Sequence, residues 1–162
     1  VRQKKREGGW AAVDAAYGKL PSTTREILRP GNPPGPRKLL DPSDRPGPGT
    51  APDGTVLAYA DTLGEWVLGY LLERAGAGEG ARIAAGAWQD DRIAFYGPKG
   101  QPAGQGIGFL WRIRAESPEG AKKIGELLAP LYARRAAPAR PAVTVRGDVV
   151  EVSRAAAHTP AG

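Results

Sequence analysis

The sequence has no cysteine and no methionine, and its one histidine is His158. Without cysteine there is neither a disulfide framework nor a thiolate metal site, although the redox compartment stays open. A catalytic zinc centre takes three protein ligands, often two histidines on one helical face with a carboxylate, and a Ser-His-Asp triad also needs a placed histidine. A single histidine in an Ala-rich tail meets neither need and reads as a surface residue. No apolar run approaches the ~20 residues of a membrane-spanning helix, and no stretch resembles a signal peptide. With no methionine and a first residue Val1, the chain is expected to be a processed product or part of something longer.

What is present is rich in backbone punctuation. The 162 residues fit one domain, but 23 glycines and 16 prolines keep much of the chain out of regular structure. Hydrophobic residues make up 41% and gather after Thr55, which places the core in the C-terminal part. The net charge of +6 would suit an anionic partner. Outside Arg2–Arg6 and Arg134-Arg135, however, the basic residues are scattered. No aromatic-basic alternation or reading helix accompanies them, so nucleic-acid binding is disfavoured and a solvated surface is the simpler reading.

Val1–Gly8 is polar and basic and reads as a mobile end or the tail of a preceding helix. Trp10, Val13 and Tyr17 then recur at helical spacing on one face, with Gly18 to close the helix. Thr23 and Glu26 have capping-box spacing and predict a short helix over 24–28, ended at Arg29-Pro30. Most of the prolines lie in 31–54, which reads as an irregular arm with one extended piece at 37–40.

Thr55–Ala60 is a predicted strand leading into the central helix of the chain. There Asp61 or Thr62 can cap, Thr62 and Glu65 again have capping-box spacing, and Gly76 stands where a C-terminal cap belongs. Leu63, Trp66, Val67, Tyr70 and Leu71 form the predicted buried stripe, and Gly69 suggests close packing against another backbone. A short helix over 79–85 precedes a strand over 88–96 in which Ile93 and Phe95 share a face. A Gly/Pro loop returns the chain through a partner strand over 107–114, with Phe109, Trp111 and Ile113 on one side. Ser117-Pro118-Glu119 starts a helix that buries Ala121, Ile124, Leu127, Leu128 and Leu131, and Pro130 should kink or shorten it. Residues 142–146 and 149–153 flank Gly147-Asp148 as a second hairpin.

The predicted order from Thr55 is thus β, α, α, β, β, α, β, β. It implies an α+β fold, an antiparallel sheet of about four to five strands with helices packed on one face, preceded by the Pro/Gly-rich arm. The expected division is 1–54 for the N-terminal helices and arm, 55–153 for the core domain and 154–162 for a flexible tail.

Other constellations yield to structural readings. Asp61 with Glu65 and Asp90 with Asp91 are possible carboxylate pairs, but capping, helix-dipole complementation and turn termination account for them. The glycine runs 76–80 and 104–108 lack, respectively, a Walker lysine and a following helix, and turn geometry explains both. No catalytic, cofactor-binding or metal-ligating residue is assigned. The best binding-site expectation is an aromatic groove or interface drawn from Trp10, Tyr17, Trp66, Tyr70, Trp88 and Trp111, against the alternative that these are core residues.

Four segments in order, GGWAAVDAAYGKLPSTTREILRP, DTLGEWVLGYLLE, GAWQDDRIAFYG and the strand ending in WRIRAESPEGAKKI, resemble the C-terminal part of an uncharacterised bacterial family of zincin-like metallopeptidases. The likeness covers roughly Gly9–Tyr132. It departs at Arg29-Pro30, where the family tends to have His-Pro, and at Gln89-Asp90, where it has Gly-Gly. The family's HExxH helix and downstream glutamate would precede Val1, so no ligand is assigned here. The resemblance implies a scaffold or interaction domain without its own chemistry, packing against an upstream zincin-like half or another subunit. One alternative is the substrate-cleft part of an exported zinc peptidase, the resemblance favouring the cell envelope; another, drawn from the basic ends of the chain, is a module for anionic ligands or nucleic acid.

Overall fold

The strands predicted over 88–96 and 107–114 form as β2 (Trp88–Pro98) and β3 (Gly108–Ala115), an antiparallel pair at the centre of the sheet. A computed structural model describes residues 1–18, 20, 24–29, 38–52, 54–99, 106–133 and 140–156. They belong to two compact units, Val1–Pro34 and Gly35–Gly162.

In the larger unit, β1 (Thr55–Asp61), β4 (Ala142–Arg146) and β5 (Val149–Arg154) complete a five-stranded antiparallel sheet ordered β1-β2-β3-β5-β4. The helices of this unit are α3 (Gly64–Arg74), α4 (Glu79–Gly86) and α5 (Pro118–Ala133). Their apolar sides meet one face of the sheet, so the α+β arrangement is as the sequence predicts. Ile93, Trp111, Ile113, Val150 and Val152 join Leu68, Leu72, Ala84, Ile124 and Leu128 in one buried cluster. Because side chains alternate along a strand, Asp90, Ala94 and Tyr96 of β2 and Arg112 and Arg114 of β3 fall on the opposite face.

Local chemistry sets the helix ends. Ala75 and Gly76 close α3 as a Schellman motif: Gly76 takes φ 89°, its N–H donates to Glu73 O at 2.9 Å, and Ala77 N–H donates to Leu72 O at 3.2 Å. At α5 the Ser117 hydroxyl accepts from Gly120 N–H at 3.1 Å, with Pro118 in the first turn. Pro130 does not shorten this helix, which continues to Ala133.

Three expectations are corrected. The buried side of α3 is Gly64, Glu65, Leu68 and Leu72, whereas Trp66 and Tyr70 face outward and Leu63, Val67 and Leu71 are half-buried. Asp90 and Asp91 do not end a turn but lie within β2, both buried. The Thr62/Glu65 capping box does not form: Leu63 is the cap residue, with no side-chain bond of its own.

Residues 31–37 and 53 of the predicted arm lie outside the described residues. The segment 38–52 holds two short 3₁₀ turns, Pro42–Asp44 and Pro48–Thr50, and is fastened to the helix-free face of the sheet. Gln89 Oε1 accepts from Lys38 N–H at 3.1 Å, and Asp90 Oδ2 accepts from Leu40 N–H at 2.9 Å and Arg45 Nη2 at 3.2 Å. Arg112 Nη1 donates to Asp44 O at 2.8 Å, and the Thr50 and Tyr96 hydroxyls lie 3.2 Å apart. These bonds place 38–52 with the sheet, within the unit Gly35–Gly162.

The smaller unit contains α1 (Arg2–Tyr17) and α2 (Thr24–Leu28). The basic start is helical, and the helix is broken at Gly8-Gly9, where Gly9 adopts φ 65°. Val13 is buried, while Trp10 and Tyr17 are exposed, and Lys5 Nζ sits 4.3 Å from the Trp10 ring centre. The predicted cap Thr23 lies outside the described residues, as do Arg134-Arg135 and His158.

Candidate functional site

The most buried ionisable arrangement is built on Asp91. In β2 it shares the helix-facing side with Ile93, so its carboxylate enters an apolar layer that would reject an unpaired charge. Four donors meet it. Oδ1 accepts from Gly64 N–H and Trp88 Nε1, each at 2.8 Å. Oδ2 accepts from Leu63 N–H at 2.9 Å and Trp111 Nε1 at 2.8 Å. Burial pushes the Asp91 carboxyl above its ordinary value, and the N–H donors pull it back.

This carboxylate therefore caps α3 from another element. It satisfies two of the helix's free N–H groups, places negative charge at the positive helix end, and joins β2, β3 and α3. Gly64 beside it takes φ 78°, a conformation that favours glycine. All four contacts are structural, and none leaves the carboxylate a free lone pair for a substrate.

Other predicted carboxylates are also engaged. Asp61 is exposed and accepts from the Tyr59 hydroxyl at 2.6 Å and from Thr62 N–H at 2.8 Å, and these contacts hold its carboxyl below the ordinary range. Glu65 is buried, so the two residues occupy different environments. Among the described residues, no group of three His, Cys, Asp or Glu side chains is placed to hold a metal ion. No described helix is long and apolar enough to cross a membrane.

Of the glycine runs, 76–80 forms the α3–α4 turn, with Gly76 at φ 89° and Gly78 at φ 53°. In 104–108 the first two residues lie outside the described residues. Gly108 opens β3 where a Cβ would collide with the backbone of Arg154 and Ala156, so close chain approach explains its glycine.

Within the larger unit, the predicted aromatic residues divide between the core and the surface. Trp88 and Trp111 are inside the core and hold Asp91. Trp10 and Tyr17 belong to the smaller unit. Trp66 and Tyr70, one helical turn apart on α3, stack with ring centres 6.4 Å apart and planes 14° from parallel. They are 60% and 53% exposed. Leu68 and Leu72 take the inner side of α3, and Gly69 turns toward Ala85 of α4, which leaves the aromatic pair on the outside.

Comparison with family profiles, characterised proteins and solved structures returns no match.

Proposed function

We propose that this chain is a non-catalytic interaction module whose α3 surface packs against an apolar segment of a partner polypeptide. The observation that carries the reading is the Trp66–Tyr70 pair, two large stacked rings held on a rigid helix with more than half of each side chain's surface in water. Aromatic side chains of this kind anchor interfaces because they bury a large apolar area while losing few rotamers. The resemblance to the region downstream of a zincin-like metal site supports an upstream polypeptide as that partner.

The test adds the segment encoded directly upstream of Val1, as a separate polypeptide, to the intact chain and follows binding by calorimetry. Trp66→Ala and Tyr70→Ala should each weaken saturable binding by about tenfold or more. Absence of binding, or binding that both substitutions leave unchanged, overturns the reading. Both side chains are exposed, so the variants should retain the parent's unfolding midpoint.

A further inference from the structure

We propose that the cleft between Arg112, Arg114 and Arg146, on the helix-free side of the sheet, binds a small oxyanion, the carboxylate or phosphate group of a small molecule. The site is separate from the α3 surface.

Strand register builds it. Arg112 of β3 pairs with Glu151 of β5, which pairs with Thr144 of β4; one step along, Arg114 pairs with Val149, which pairs with Arg146. Two rows thus cross three strands, and Arg114 and Arg146 flank Val149 at two strand spacings, roughly 10 Å between backbones. Asp44 joins them from the segment laid over this face, and the cavity encloses about 310 Å³. That is the size of a small-molecule site rather than of a macromolecular groove.

The charges are unevenly used. Asp148 accepts from Arg114 Nη1 at 2.9 and 3.0 Å and is also paired with Lys38. Asp44 lies 3.4 Å from Arg114 Nη2, and Glu151 accepts from Arg112 Nε at 2.9 Å. Lys38 and three arginines therefore face three carboxylates, and the cation left over is Arg146. It has no hydrogen-bond or ion-pair partner among the described residues. Arg114 is engaged with Asp148 and Asp44 and contributes positive charge to the cleft rather than a spare donor. The Thr144 hydroxyl on the cleft wall supplies a further donor. The planar fork of arginine suits both carboxylate and phosphate oxygens.

The intact chain, labelled with ¹⁵N, is titrated at low ionic strength with inorganic phosphate and, separately, with succinate, and amide shifts are followed. Saturable shifts are expected at Thr144, Arg146, Val149 and Glu151. Phosphate alone saturating assigns a phosphoryl ligand, succinate alone a carboxylate one, and both together the shared chemistry. Arg146→Gln should weaken binding by about tenfold or more, the loss of one charge-assisted contact. Lys122→Gln, which removes the same charge from exposed α5, should leave it unchanged. Shifts that grow linearly with anion, that spread equally over basic residues elsewhere, or that persist in Arg146→Gln overturn the proposal. Because Arg146 is exposed, an unchanged unfolding midpoint confirms that the variant is folded.

Discussion

Trp111 Nε1 of β3 donates to Asp91 Oδ2 of β2 at 2.8 Å inside the apolar layer, and Trp88 Nε1 meets the other oxygen at the same distance. Asp91→Asn would replace one acceptor oxygen with an NH₂ group facing two N–H donors. The expected loss of stability is about 2–6 kcal/mol, since two buried N–H donors are left without an acceptor at about 1–3 kcal/mol each. Trp111→Phe removes one donor and shrinks a fully buried ring system, with an expected loss of about 2–4 kcal/mol. Urea unfolding followed by circular dichroism reads both, and an Asp91→Asn variant as stable as the parent would remove Asp91 from its role as the cap of α3.

Asp148 predicts a pH dependence. Partial burial works to raise its pKa, but the hydrogen bond from Lys38 and the positive charge of Arg114 outweigh this and hold the carboxyl below the ordinary value of 3.8. A carboxyl depressed in the folded state stabilises it above the unfolded pKa, and that contribution disappears as the pH falls through the folded pKa. Asp148→Asn should therefore be less stable than the parent near neutrality, with the gap closing in acid below about pH 4. Denaturant midpoints across a pH series test this, and a gap constant into strong acid would contradict it.

Two glycines should respond oppositely to alanine. A Cβ on Gly69 would lie 3.5 Å from Ala85 Cβ, an ordinary contact, so Gly69→Ala should stabilise α3 by about 0.5–1 kcal/mol. A Cβ on Gly125 would lie 2.5 Å from Val145 Cγ2, so Gly125→Ala should push α5 off the sheet and cost about 1–3 kcal/mol. Thermal unfolding of the pair gives both signs, and equal shifts in one direction would contradict this account of the two contacts.

Much of the fold was legible because its signals are local. Period-two alternation marked β2 and β3, Gly147-Asp148 marked the last hairpin, and Gly76 and Ser117 marked helix ends. The face of α3 was not legible in the same way. A count of apolar positions favours Trp66 and Tyr70, yet the inner side uses Gly64, Glu65, Leu68 and Leu72, where small residues let Asp91 reach the helix end. Asp91 did leave a signal: it stands two residues before Ile93 on the buried side of a strand, where a carboxylate must find donors, and Trp88 lies three residues away. The cleft depends on the β3-β5-β4 register, which brings Arg112 and Arg114 near Arg146 although the first pair lies more than thirty residues from it in the chain.

The segment from Lys38 to Thr50 also bears on the order of folding. Its bonds to the sheet join residues 45 positions apart at Arg45–Asp90 and 110 apart at Lys38–Asp148. Such closures carry a large loss of chain entropy, and their acceptors exist as a surface only after β2, β3 and the last hairpin have paired. The proline-rich stretch is therefore expected to dock after the sheet has paired, a delay during which the polar side of the sheet stays open to water.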